Sequence, residues 1–194
     1  MFENIIKFIT NYIPLTDEEI DIIRETNLIE SYKKNTILLS EGEVAKECYF
    51  ILQGCIRSYY VIDGEERTTE FYTESQPITP VSYVTKQPSE YYLSCLEDCV
   101  VSLGTRNQIL LEKLPKLETL LLKLNGEMLV QNQVSFDNFK NFSPEKRYLD
   151  LIETRPELIN RVPQYHLATY LGITPVSLSR MRKRLSSGKS ARKA

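Results

Sequence analysis

With 194 residues, 42% of them hydrophobic and 26% charged, the chain has the composition of an ordinary globular protein of one large domain or two small ones. No apolar run approaches the roughly 18 residues of a membrane-spanning helix, which excludes an integral helical membrane protein. The net charge of −2 hides an asymmetry: residues 1–142 carry 13 Lys/Arg against 22 Asp/Glu, residues 143–194 carry 11 against 4, and after Asn160 there are eight basic residues and no acidic one. A basic segment on an acidic body points to a polyanion partner for that segment alone.

The first segment, Met1–Tyr12, carries acidic and amide residues and no small-residue cleavage site, so it is not expected to be a secretory signal, and a cytoplasmic location is the default expectation. Phe2–Tyr12 and Thr16–Thr26 are predicted helices. Thr16 followed by Glu19 forms a capping box, and Ile20 and Ile23 share one face. From Ser31 to Leu103 the texture changes to short runs rich in Tyr, Val, Ile and Thr. Asp63-Gly64 between Ile56–Ile62 and Glu65–Tyr72 is a two-residue hairpin signal, because both central residues of such a turn need positive φ. Several short strands over this stretch predict a small antiparallel roll or jelly roll.

Helical periodicity returns at Asn107 and continues to about Phe139, with Pro115 starting a new helix. Leu117, Leu121, Leu124 and Met128, preceded by Leu114, alternate three and four residues apart, which predicts a dimer seam. Leu120 and Leu122 widen the stripe, so an ordinary core-facing helix is the alternative. Ser143-Pro144 is a cap and first helical residue, and Arg155-Pro156 ends that helix. The division expected is 1–140 for the roll with its dimer helix (about 107–139), and 141–194 for a second domain ending in a basic tail, with Ser186–Ala194 disordered.

Residues 163–185 carry the functional signal. Leu167, Ala168 and Leu171 lie on one face of a short helix, Gly172 permits a tight turn, and Ile173 plugs the space between two helices. Thr174 is a good N-cap and Pro175 a good first residue for a second helix running to Leu185. Two short helices joined this way make a helix-turn-helix. At 100° per residue, Leu178, Met181 and Leu185 face inward. Val176, Ser179, Arg180 and Lys183 face outward, with Ser177 and Arg184 on one flank and Arg182 on the other. Such a face suits a major groove: Arg can donate twice to guanine, Val can touch a thymine methyl, and Lys can reach phosphate or guanine. The candidate DNA-binding residues are Thr174, Pro175, Val176, Ser177, Ser179, Arg180, Lys183 and Arg184.

The segment LATYLGITPVSLSRMRKRL resembles the helix-turn-helix of the Crp/Fnr regulators. Glu41-Gly42-Glu43 followed by Tyr49 to Arg57 resembles that family's early β-roll signature, an acidic-glycine turn and then a strand ending in glycine. The resemblance implies an α+β fold: an N-terminal cyclic-nucleotide-binding-like β-roll, a long dimerisation helix and a C-terminal helix-turn-helix domain. It implies a dimeric, sequence-specific regulator on a near-palindromic operator, with double-stranded DNA, a second copy and RNA polymerase as partners and an effector of unknown identity. Departures are plain. Where cyclic-nucleotide binders carry glycine and arginine in a phosphate cassette, Glu74–Ser94 has neither, and its one basic residue is Lys86. Cyclic AMP is therefore not the expected effector. Tyr72, Tyr83, Tyr91 and Tyr92 are the candidates for an effector pocket, with buried roll tyrosines as the plainer reading. No wing of the family's usual kind is expected after the recognition helix, and Pro175-Val176 stand where many members have Arg-Glu.

No catalytic set is expected. The lone histidine, His166, sits in the helix-turn-helix and is read as a solvent-facing helix residue, and its isolation argues against a metal-dependent jelly-roll enzyme. No cofactor, metal or membrane contact is expected. Cys48, Cys55, Cys95 and Cys99 match no metal spacing and read as small buried residues, redox chemistry being the alternative. The competing function is a ligand-sensing roll that signals to a protein partner without specific DNA binding.

Overall fold

The computed structural model describes residues 2–26 and 29–191. Two helices open the chain, α1 (Phe2–Thr10) and α2 (Asp17–Glu25). The Thr16 Oγ accepts from the Glu19 N–H and the Glu19 carboxylate accepts from the Thr16 N–H, completing the predicted capping box. Strands β1 (Ile29–Tyr32), β2 (Ile37–Leu39), β3 (Tyr49–Gln53), β4 (Ile56–Ile62), β5 (Glu65–Tyr72) and β6 (Pro77–Ile78) follow. A short helix α3 (Val81–Thr85) precedes β7 (Tyr92–Cys95) and β8 (Cys99–Leu103). The strands form two four-stranded sheets, ordered β1-β8-β3-β6 and β2-β7-β4-β5. Asp63 (φ 55°) and Gly64 (φ 79°) adopt the paired positive φ values expected of a two-residue hairpin turn.

Alternation along the strands decides what each side chain meets. Tyr49 and Ile51 of β3 join Ile56, Leu93, Val101 and Leu103 in the core of the roll. Their neighbours Phe50 and Leu52 point the other way, onto a second cluster built from α1, α2, α4 (Gly104–Lys113) and α5 (Lys116–Asn141). The predicted antiparallel roll followed by a long helix is what forms. Helix α4 breaks at Leu114, ahead of Pro115, and α5 then runs for 26 residues.

The chain divides into two compact units. One comprises residues 1–58 and 71–132, the other residues 59–70 and 133–194. The second unit contains α6 (Pro144–Thr154), α7 (Pro156–Arg161), α8 (Gln164–Tyr170) and α9 (Pro175–Ala191) around Leu151, Leu158, Leu167, Ala168, Leu171, Leu178 and Met181. Ser143 caps α6, its hydroxyl accepting from the Lys146 N–H at 3.3 Å. Helix α9 overturns one expectation: it continues past Leu185 to Ala191, so Ser186 to Ala191 are helical, while residues 192–194 lie outside those described. The serines do not break it because their hydroxyls donate into the helix itself, Ser186 and Ser187 both to the Lys183 carbonyl.

Candidate nucleic-acid interface

The turn between α8 and α9 rests on glycine. Gly172 has φ 72°, and the Ile173 N–H reaches back to the Ala168 carbonyl at 3.0 Å, closing α8. A β-carbon at Gly172 would lie 3.6 Å from Arg147 Nη1 and Phe139 Cζ, so space is not the constraint and backbone conformation is. Thr174 starts α9: its Oγ accepts from the Ser177 N–H at 3.2 Å and lies 2.9 Å from the Ser177 hydroxyl. Leu178 is fully buried and Met181 nearly so, and each such side chain contributes about 1.5–3 kcal/mol. That inward face orients the rest. Val176 (59% exposed) and exposed Thr174, Ser177, Ser179, Arg180, Lys183 and Arg184 all lie on the surface, and Pro175 and Arg182 are half-buried. The structure thus brings together one exposed, acid-free face of α9.

Contacts that sequence reasoning missed surround this face. Arg184 is ion-paired with Glu145 at the start of α6, a partner 39 residues away. Arg147 stacks on the Phe139 ring at 4.2 Å, and burial lowers its pKa. On the opposite side of α8 lies the β4–β5 hairpin. Arg155 Nη1 donates to the Glu70 carboxylate at 2.8 Å, and the Thr68 N–H donates to the Thr169 Oγ at 3.3 Å. Burial, reinforced by the Glu70 carboxylate, pushes the Tyr170 phenol up. His166 does not face solvent as expected: its side chain is 18% exposed and lies 4.0 Å from Glu66 of the same hairpin. Alternating polarity along Glu65–Tyr72 was the signal available, but it could not say which element the hairpin meets.

The remaining candidates lie in the first unit. Leu117 and Leu124 are 5% and 8% exposed and packed with Ile5, Ile9, Leu110 and Leu120 of their own chain. With Leu121, which is 37% exposed, they line an apolar cavity of about 80 Å³ against Phe8 and Phe50. Met128 is half-buried. Strongly exposed apolar residues on this stretch of α5 include Leu122 (67%) and Leu129 (71%), one heptad apart, and Val130 (63%). Tyr72, Tyr83 and Tyr91 pack against the roll core, and Tyr92 is half-buried at the start of β7. The Tyr91 hydroxyl accepts from the Val81 N–H at 3.1 Å, and Lys86 Nζ sits 4.3 Å over the Tyr83 ring. Sequence reasoning also passed over Arg57, a nearly buried guanidinium on β4 whose Nε donates to Ser94 Oγ at 3.3 Å.

Residues 29–110 match the cyclic nucleotide-binding domain family. No curated protein sequence matches the chain. Among solved structures, FixK2 from Bradyrhizobium japonicum superposes with a TM-score of 0.64 at 20% identity, covering 83% of this chain and 85% of its own. The c-di-GMP responsive global regulator CLP of Xanthomonas campestris gives 0.65 at 16%, covering 90% and 93%. The fold is that of the Crp/Fnr regulators. The catabolite activator protein of Thermus thermophilus is similar at 17% identity, with a TM-score of 0.50 and coverage of 92% and 87%. Helices α8 and α9 lie outside the matched residues, and among the described residues no helix is long and apolar enough to cross a membrane.

Proposed function

We propose that the chain is a sequence-specific DNA-binding transcription regulator that acts as a homodimer. One observation carries this reading: the exposed face of α9, held outward by buried Leu178 and Met181, carries Val176, Ser179, Arg180 and Lys183 and no acidic residue. Arg180 lies mid-face, where its planar fork can donate to O6 and N7 of guanine. The N-terminus of α9, with Thr174 and Ser177, and flanking Arg184 suit phosphates. Two copies related by a twofold axis present two such helices about 34 Å apart, to successive major grooves of a near-palindromic site. The second copy docks along α5, through its exposed Leu122 and Leu129. RNA polymerase is the further partner such a regulator works on, and the cytoplasm its place of action.

The test is selection of bound duplexes from a random library, followed by titration of operator and scrambled duplex at several salt concentrations. Arg180→Ala should cost about 1–3 kcal/mol on the operator and little on scrambled DNA. Equal losses on both would mean that Arg180 holds phosphate and that α9 is oriented differently. Absence of any salt-sensitive retention would remove DNA from the function and leave a roll that signals to a protein.

Cyclic AMP is not the effector in this reading. The stretch 74–94 offers one cation, Lys86, and that ammonium lies over the Tyr83 ring. Fixing a cyclic phosphate needs directed donors and a compensating charge. Calorimetry should show no micromolar binding of cyclic AMP; one site per chain at that affinity would sink this part of the reading.

A further inference from the structure

Strand β3 sends its side chains to two different places. Tyr49 and Ile51 enter the roll core, whereas Phe50 and Leu52 enter the cluster built by α1, α2, α4 and α5. That second cluster is not filled. A cavity of about 80 Å³ lies within it, walled by Phe8 and Ile9 of α1, Phe50 and Leu52 of β3, and Leu117 and Leu124 of α5. Leu121, 37% exposed where Leu117 and Leu124 are buried, stands where the cavity meets solvent. One side of the wall is aromatic: the Phe8 and Phe50 rings lie 5.0 Å apart and tilted at 51°, an arrangement whose edges and faces can meet a third ring.

The wall decides what can enter. Ser102 is the one polar side chain among the described residues that line the cavity, and that serine is 4% exposed and already engaged. An ordered water needs about two to four polar partners, which this wall does not supply. An ion would be stripped of water with no compensating charge beside it. Two lysines of α5 stand outside the wall and are occupied there: Lys116 Nζ donates to the Glu19 carboxylate and the Pro14 carbonyl, and Lys123 Nζ lies 5.0 Å over the Tyr12 ring.

We propose that this cavity is a binding site for a small uncharged apolar molecule of about the size of benzene. An apolar cavity of about 150 Å³ lined by leucine, isoleucine and phenylalanine stays dry and takes up benzene or xenon. The cavity here is smaller, but it opens at Leu121, and Phe8, Leu52 and Leu111 in its wall are only half-buried, so a ligand can exceed the enclosed volume. Filling it gives the lining side chains the van der Waals partners they lack and takes the ligand's own surface out of water. The site lies on the opposite face of β3 from the roll core against which Tyr72, Tyr83 and Tyr91 pack. It uses none of the residues assigned to DNA, so it stands or falls apart from that reading.

The test is methyl-resolved NMR of the intact, isotope-labelled chain titrated with benzene, with a melting curve at each concentration. Saturable shifts should centre on Ile5, Ile9, Leu117 and Leu124, at one site per chain, while the methyls of Ile78, Leu93 and Val101 in the roll core stay in place. The melting temperature should rise by about 3–6 °C at a tenfold excess over Kd. Benzoate, the same ring carrying a charge, should bind about tenfold more weakly or worse, because no cation lines the cavity. Leu52→Phe, which puts a ring into the space, should weaken benzene about tenfold or more with circular dichroism unchanged. Should that variant fail to fold, the wild-type titrations decide alone. Shifts that grow without saturating, shifts centred on the roll core, or benzoate binding as tightly as benzene would each overturn the proposal.

Discussion

Arg184 is offered to the outside of α9 but held by Glu145, and that pairing has a functional consequence. The two side chains are 67% and 40% exposed, so the pair contributes little to stability, in the range of about 0–1 kcal/mol. Under the proposed function its effect is on the charge that α9 would present to DNA. A phosphate approaching Arg184 must compete with a carboxylate already in place. Glu145→Gln should therefore tighten binding to operator and scrambled duplex alike and steepen the salt dependence by about 0.9 for each additional phosphate neutralised. Thermal stability should barely move. If affinity for both duplexes is unchanged across salt, Arg184 does not face phosphate, and the flank assigned to it is wrong. Legibility at this scale follows sequence distance. The caps of Thr16, Ser143 and Thr174 and the positive φ of Asp63, Gly64 and Gly172 could be read directly, because each depends on neighbours within three residues. The Glu145–Arg184 and Glu70–Arg155 pairs could not, because their partners lie 39 and 85 residues apart.

Periodicity along α5 shows how an element can be recognised while its partner stays open. The three-four spacing of Leu117, Leu121 and Leu124 marks an apolar face, but a face pattern does not say whether its own chain or a second copy covers it. Here the N-terminal helix α1 supplies Ile5 and Ile9 against that face, so Leu117 and Leu124 belong to the core of their own unit. Among the apolar side chains that α5 leaves exposed, Leu122 and Leu129 lie one heptad apart and so on a single line. The two positions therefore separate experimentally. Leu122→Glu with Leu129→Glu should give a folded monomer by sedimentation, with its circular dichroism intact. Leu124→Glu should instead lower stability by several kcal/mol, since it strands a carboxylate in an apolar cluster. A Leu122/Leu129 double variant that remains dimeric would move the interface off this face of α5.

At the scale of the whole molecule, strand β4 leaves one compact unit at Ser58 and enters the other at Tyr59, and β5 returns at Phe71. The strand-turn-strand unit was evident from Asp63-Gly64, yet a local pattern does not carry the address of a long-range contact. The hairpin's destination is the first helix of the helix-turn-helix. Glu66, Thr68 and Glu70 alternate along one edge of β5 and meet His166, Thr169 and Arg155. The Arg155–Glu70 pair is the strongest of these, with side chains 22% and 17% exposed, so each charge has given up most of its water and depends on the other. Arg155→Ala should therefore destabilise the unit by about 1.5–3 kcal/mol, the range for hydrogen bonds to charged groups. Glu70→Gln should cost a similar amount, and the double variant should cost little more than either alone, a coupling that a denaturant-based double-mutant cycle measures directly. The hairpin's contacts run to α8 and Arg155, so the ratio of operator to scrambled affinity should survive in all three variants at temperatures where they are folded. Additive losses in stability would mean that the two charges act through separate partners and that the hairpin is only a neighbour. A collapse of the specificity ratio with stability intact would mean that the hairpin sets the orientation of α9 itself.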